Sequence, residues 1–216
     1  MEPPVVKICG LTRREDAALA FESGARFGGV NGVPGSPRFV EPGSAAEAEV
    51  LSAIPPGRRI WVAVEPAAGE VEAALGRGFD RVQVHFDPAG GFDPAAPSAA
   101  AGPGAIWLAP RMRQPDEFRP GWLEMAEAFL IDGFSADRFG GTGKRVDAAA
   151  FARLAAAHAP AVFILAGGLA PGDIAAVLRG SGARWIDVNS GVESGPGVKD
   201  PEKIKSLFAN LAARGD

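Results

Sequence analysis

Cys9 and Asp132 are the residues whose types and positions most directly indicate acid–base chemistry. Cys9 is the single cysteine and ends the apolar run in "VKICGLT", and Asp132 ends another apolar run in "FLIDGF". A thiolate can accept a proton, so Cys9 is a candidate base, and Asp132 is a candidate site residue because it ends a predicted strand. A packing role is the alternative for Cys9, since free cysteines are usually buried, and Asp132 could instead cap a helix or turn.

Three glycine-rich segments indicate a binding site for a phosphate. They are "GGTGK" at 140–144, "LAGGLAPGD" and "DVNSGVESGPGVKD". Glycine lets backbone N–H groups approach an anion closely. The last two segments therefore predict phosphate-binding residues at Gly167, Gly168, Ser190 and Gly191. A tight turn alone would also explain adjacent glycines.

Eight short apolar runs alternate with amphipathic stretches, which predicts eight strands with helices after most of them. The predicted strands are Val5–Cys9, Arg26–Val33, Arg59–Val64, Asp80–His85, Ala105–Leu108, Ala128–Asp132, Ala161–Ala166 and Trp185–Val188. The predicted helices are Arg13–Ser23, Ser44–Ala53, Ala68–Arg77, Asp147–Ala157, Pro171–Arg179 and Pro201–Ala213.

Repeated strand–helix units favour parallel strands joined by right-handed crossovers. Eight units in 216 residues predict an α/β fold, a (β/α)8 TIM barrel forming a single domain over residues 1–216, with a doubly wound open sheet as the competing arrangement. We expect irregular structure after strands four and five. The prolines and glycines of "DPAGGFDPAAPSAAAGPGA" predict a loop, and "QPDEFRPGWLEMAE" predicts only a short, irregular helix.

Strand alternation predicts which side chains share the barrel interior. If Cys9 faces inward, then Lys7 and Val5 do so too, and an inward Asp187 brings Asn189 to the same face. Strands one and eight are neighbours in a closed barrel. We therefore expect Lys7 to pair with Asp187, because buried charges need partners. A cation beside Cys9 would favour its thiolate.

The composition of the chain indicates which classes of partner and which cellular compartment to expect. The net charge is −4 and no Lys/Arg cluster occurs, so a nucleic-acid partner is not expected. No apolar run is long enough to span a bilayer, and "MEPPVV" lacks the features of an export signal. A single cysteine cannot form an internal disulfide, which favours the cytoplasm. The expected partner is a small phosphorylated substrate.

Five segments, in order, resemble the phosphoribosylanthranilate isomerase family of tryptophan biosynthesis: "KICGLT", "SPRFV", "GGTGK", "ILAGGLAP" and "DVNSGVESGPGVKDPEKI". The resemblance covers nearly the whole chain and implies an Amadori rearrangement of an aminoaldose phosphate to a 1-deoxyketose phosphate, with no metal or organic cofactor. It implies that Asp132 protonates the ring oxygen, that Cys9 removes the proton from C2, and that Arg38 holds the anthranilate carboxylate. Gly143 and Asp187 join the expected substrate-binding residues.

The chain departs from this family around strands two to five. Strand three ends "VAVEP" where asparagine is usual, strand four reads "QVHFDP" where "QLHG" is typical, and strand five lacks the usual lysine. Two alternatives follow: a related sugar-phosphate isomerase with altered or dual substrate, or a barrel that binds a phosphorylated metabolite without turnover. The similar isomerase of histidine biosynthesis has aspartate where Cys9 stands, which favours the tryptophan-pathway assignment. A monomer and a homodimer are both compatible with the sequence.

Overall fold

Eight parallel strands close into a barrel in chain order. The computed structural model describes residues 3–132 and 147–213 of the chain. The first strand pairs with both the second and the eighth, which confirms the predicted TIM barrel and rules out an open sheet. The barrel strands are β1 Val5–Ile8, β2 Phe27–Asn31, β3 Arg59–Val64, β4 Arg81–Phe86, β5 Ile106–Pro110, β6 Ala128–Asp132, β7 Val162–Ala166 and β8 Trp185–Val188.

Helices follow most of the strands and pack on the outside of the barrel. Within the described residues they are α1 Arg14–Ser23, α2 Ala45–Ser52, α3 Ala68–Gly76, α4 Ala95–Ala101, α5 Ala148–Ala157, α6 Ile174–Ser181 and α7 Pro201–Ala212. A short antiparallel pair, β9 Glu193–Gly195 and β10 Val198–Lys199, lies between β8 and α7. No helix in the described part of the chain has the length and hydropathy needed to cross a membrane.

The segment after β4 contains a helix, so the predicted loop is wrong there. Ala95–Ala101 forms α4, with Pro97 at its third position. Proline is tolerated in a first turn because those N–H groups have no partner within the helix, and the surrounding alanines favour helix. After β5 the prediction is confirmed, because only short 3₁₀ turns occur, at Pro115–Glu117 and Pro120–Glu124.

Inside the barrel, apolar side chains lie at the amino ends of the strands and polar side chains lie at the carboxyl ends. Phe27, Trp107 and Trp185 stand near the amino ends of their strands, with ring centroids 5.0 Å apart for Phe27 and Trp107 and 6.0 Å apart for Trp107 and Trp185. Cys9 and Leu130 belong to the same interior cluster. These aromatic rings therefore fill the barrel interior at the amino ends of the strands, and the polar side chains lie at the carboxyl ends.

Candidate active site

A cavity of about 640 Å³ lies at the carboxyl ends of the barrel strands, where TIM barrels carry their active sites. Among its lining residues are all but one of those predicted for the site: Cys9, Arg38, Asp132, Gly167, Gly168, Asp187, Ser190 and Gly191. The remaining one, Gly143, lies outside the described residues, as does the rest of "GGTGK". One cavity thus joins the ends of β1 and β6 with the loops after β2, β7 and β8.

Lys7 and Asp187 form a buried ion pair beneath Cys9. They are aligned in the β1–β8 register, and Lys7 Nζ donates to Asp187 Oδ1 at 2.8 Å. Their side chains are 1% and 8% exposed. The predicted pair is confirmed, and Asn189 lines the cavity as its predicted orientation requires.

The protonation of Cys9 is set by opposing effects. Burial raises the pKa of the thiol and Asp187 raises it further, whereas Lys7 lowers it. Burial also opposes the charge on Lys7, but Asp187 and Cys9 together outweigh burial and raise the pKa of that ammonium group. Lys7 does favour the thiolate, as expected, but burial and the carboxylate outweigh it. The arrangement therefore favours the thiol form of Cys9, a protonation state that the sequence alone does not determine.

The loops after β7 and β8 touch each other, and their glycines make this possible. Gly167 and Gly168 have φ angles of 93° and 66°, in the left-handed region that glycine adopts without steric cost. A Cβ on Gly191 would lie 1.9 Å from the carbonyl oxygen of Leu169, so a larger residue would push the loops apart. Hydrogen bonds between described backbone groups do not use the N–H of Gly168 or Gly191. These two N–H groups could therefore meet an anion.

Arg38 reaches the cavity from the loop after β2 and is held by a carboxylate. Its Nε and Nη2 donate to Glu193 Oε1 and Oε2 at 2.8 and 2.7 Å. Lys199 Nζ donates to Glu193 Oε1 at 2.9 Å. A guanidinium has five N–H donors, so this fork leaves three for other acceptors. Glu193 and Lys199 were not predicted, although both lie within a quoted glycine-rich segment, because sequence spacing does not reveal their contact with Arg38.

His85 and Gln83 occupy the cavity wall on β4. Their Nε2 atoms lie 2.8 Å apart, and Gln83 is buried. Burial lowers the pKa of His85 to about 4, with Lys7 adding to the effect, so the imidazole is neutral near pH 7. Among the described residues, no group of three or more His, Cys, Asp or Glu side chains could hold a metal ion.

Comparison with known proteins supports the family that the sequence motifs resemble, over nearly the full length of the chain. The family model for N-(5'-phosphoribosyl)anthranilate (PRA) isomerase matches residues 6–210. The chain belongs to this family. The N-(5'-phosphoribosyl)anthranilate isomerase of Pelobacter propionicus is 37% identical over 206 residues, covering 94% of this chain and 93% of the relative.

Two solved structures share the fold at full length. The phosphoribosyl anthranilate isomerase from Thermus thermophilus is 34% identical, with a TM-score of 0.81 and coverage of 97% of this chain and 98% of that one. Monomers generated from the dimeric enzyme of Thermotoga maritima are 25% identical, with a TM-score of 0.80 and coverage of 97% and 99%.

The segments after β3, β4 and β5, where the sequence predicts departures from the PRA isomerase family, contact one another. Glu65, after β3, has a φ of 48°, and its Oε1 accepts from the N–H of Asp87 at 3.1 Å. Asp87, after β4, also pairs with Arg111, which follows β5 and lines the cavity. Glu65, Asp87 and Arg111 therefore form one connected polar group, of which Arg111 lines the cavity.

Proposed function

We propose that this chain is an N-(5'-phosphoribosyl)anthranilate isomerase that uses Cys9 as base and Asp132 as acid. The reaction is an Amadori rearrangement, which converts the aminoaldose phosphate to a 1-deoxyketose phosphate. The observation that carries the proposal is the single cavity in which Cys9, Asp132 and the glycine-rich loops after β7 and β8 meet, in a chain of the PRA isomerase family.

The rearrangement needs one proton donated and one removed. Asp132, as the carboxylic acid, protonates the ribose ring oxygen; the C1–O bond breaks and the amine nitrogen forms the Schiff base. Cys9, as thiolate, takes the proton from C2, and the C2–H electrons form the C1=C2 bond of an enolamine. The enolamine then tautomerises to the ketone. Base and acid act on different atoms of one sugar, so they suit the ends of different strands, β1 and β6.

Lys7 stabilises the charge that the base step requires. Lys7 lowers the pKa of Cys9, and the thiolate gains a nearby cation when it forms. Because burial and Asp187 raise that pKa, only a minor fraction of the free enzyme carries the thiolate at pH 7. Lys7 therefore stabilises the thiolate when it forms, whereas burial and Asp187 keep Cys9 mostly protonated in the free enzyme.

Binding of the two substrate ends is assigned to two regions of the cavity. The phosphate is held by backbone N–H groups of the loops after β7 and β8, at Gly167, Gly168, Ser190 and Gly191, where glycine permits close approach. Arg38 binds the anthranilate carboxylate with the guanidinium donors that Glu193 leaves free. Gly143 and Asp187 complete the proposed substrate-binding set.

We also propose a cytoplasmic enzyme without a nucleic-acid partner. The net charge of −4 and the single cysteine support this assignment. The proposed assembly is a monomer or a homodimer, and the Thermotoga maritima relative is described as dimeric. Light scattering on the purified chain distinguishes the two.

A fluorescence assay with freshly prepared phosphoribosylanthranilate tests the function, because substrate consumption removes the anthranilate signal. We expect rapid loss of signal with the wild type and at least a hundredfold slower loss with folded Cys9→Ser or Asp132→Asn, since each removes a proton-transfer group. If the wild type shows no turnover, the assignment is wrong, and the corresponding substrate of histidine biosynthesis is tested next.

A further inference from the structure

Glu193 and Lys199 belong to the β9–β10 pair, outside the barrel strands, yet both charges are buried. Lys199 is 0% exposed and Glu193 is 4% exposed at the side chain. Lys199 Nζ donates to Glu193 Oε1 at 2.9 Å and to the Asn189 Oδ1 and carbonyl oxygens at 2.9 and 3.2 Å. An ammonium group has three N–H donors, so these acceptors account for all of them and fix the position of Lys199.

Glu193 joins this buried lysine to Arg38. Its two oxygens accept from Arg38 Nε and Nη2, while Oε1 also accepts from Lys199. The carboxylate therefore cannot turn without breaking bonds to both cations. Hydrogen bonds to the two cations lower the pKa of Glu193 against the opposing effect of burial, so it stays charged.

The aliphatic part of the Arg38 side chain is confined, as is its guanidinium group. A Cβ on Gly10 would lie 2.6 Å from Arg38 Cδ and 2.7 Å from Asn189 Oδ1. Glycine at this position therefore leaves room for the aliphatic part of the Arg38 side chain to pass close to the backbone. With Nε and one Nη2 proton used by Glu193, the donors left over are the Nη1 protons and the second Nη2 proton, on the opposite edge of the guanidinium.

We propose that Glu193, fixed by Lys199, is a positioning residue that presents this free edge of Arg38 to the substrate carboxylate. The inference rests on the proposed function, because the carboxylate belongs to the anthranilate half of that substrate. A carboxylate bound in a fork needs two parallel N–H groups at a set angle. An arginine held in advance binds it without losing side-chain freedom.

Two non-reactive product analogues separate orientation from general stability. One is reduced 1-(o-carboxyphenylamino)-1-deoxyribulose 5-phosphate, and the other is the same molecule without the carboxyl group. The readout is the ratio of their inhibition constants in the phosphoribosylanthranilate assay. In the wild type we expect the carboxylate to improve inhibition about 10- to 100-fold, as a charge-assisted fork should.

The test variant is Glu193→Gln, which keeps the side-chain size and removes the charge. We expect the ratio to fall to about threefold or less, with inhibition by the analogue lacking the carboxyl group unchanged. A second variant, Glu193→Gln with Lys199→Met, removes both buried charges and serves if the single variant does not fold; it should show the same fall. In both, KM should rise more than kcat falls.

A matched control breaks a comparable ion pair away from the cavity. Glu47 is 3% exposed at the side chain and pairs with Arg77 Nε at 2.9 Å, on the outer helices. Glu47→Gln should leave the inhibition ratio at the wild-type value. A ratio near one in the wild type, a wild-type ratio in the Glu193 variants, or equal weakening of both analogues would each overturn the inference. If the wild type does not turn over phosphoribosylanthranilate at all, the proposed function itself has failed.

Discussion

The ion pair between Lys7 and Asp187 offers a direct test of how charge is balanced inside the barrel. Its atoms are 2.8 Å apart and both side chains are buried, so replacing one partner leaves the other charge without compensation. We predict that Asp187→Asn lowers the free energy of unfolding by about 3–5 kcal/mol. Total stability is typically about 5–15 kcal/mol, so the variant should remain largely folded. Asp187 also adds to burial in raising the pKa of Cys9, so this pKa should fall.

Urea unfolding at pH 7 measures the stability change, and the pH dependence of Cys9 alkylation by iodoacetamide measures the pKa change. As a control, Glu202→Gln breaks the Lys205–Glu202 pair, which has the same 2.8 Å separation but is exposed, and should cost less than about 1 kcal/mol. The double variant Lys7→Met with Asp187→Leu removes both buried charges and should regain most of the lost stability. The reasoning is refuted if Asp187→Asn costs no more than the control, or if the double variant regains nothing.

Two further predictions concern the pH dependence of the free energy of unfolding and the contact between the loops after β7 and β8. The pKa of His85 is lowered to about 4 from an ordinary value of 6.5, so the unfolded chain binds a proton there before the folded chain does. The free energy of unfolding should therefore fall as the pH drops from 6.5 toward 4. Urea unfolding at pH 7.5 and 5.0 should show a loss of about 2 kcal/mol from this group in the wild type, and His85→Gln should lack that loss. Equal losses in the two proteins would contradict the prediction. Gly191→Ala should cost about 1–3 kcal/mol and weaken inhibition by the reduced product analogue at least tenfold, because the new Cβ would meet the Leu169 carbonyl. Gly195→Ala, where a Cβ meets nothing within 4 Å, is its control, and equal effects of the two would argue against the loop contact.

The barrel was predictable because its evidence is periodic. Eight apolar runs separated by helix-length stretches leave few arrangements, and right-handed crossovers reduce them further. Helix α4 was not predictable by the same rule. A proline disrupts a helix interior but not its first turn, and the sequence alone does not locate the start of α4 relative to Pro97. The effect of Pro97 thus depends on a boundary that tertiary packing determines.

The candidate active site likewise contains contacts that the sequence could predict and contacts that it could not. Lys7 and Asp187 could be paired in advance, because strand alternation and barrel closure fix both the face and the neighbour. The contact between Arg38 and Glu193 joins the loop after β2 to strand β9, 155 residues further along the chain, where no sequence periodicity applies. The balance at Cys9 was also beyond sequence reasoning, because the direction of its pKa shift depends on how burial compares with two opposite charges.

The central claim is that Cys9 removes the proton from C2 of the substrate, and a substrate deuterated at C2 tests it most directly. The measurement is the initial rate of fluorescence loss for the wild type and Cys9→Ser, with deuterated and ordinary phosphoribosylanthranilate under single-turnover conditions. The account predicts a slower wild-type reaction with the deuterated substrate and almost no reaction with the folded Cys9→Ser variant. Turnover by Cys9→Ser at the wild-type rate, with the same isotope effect, would contradict it, because another group would then be the base.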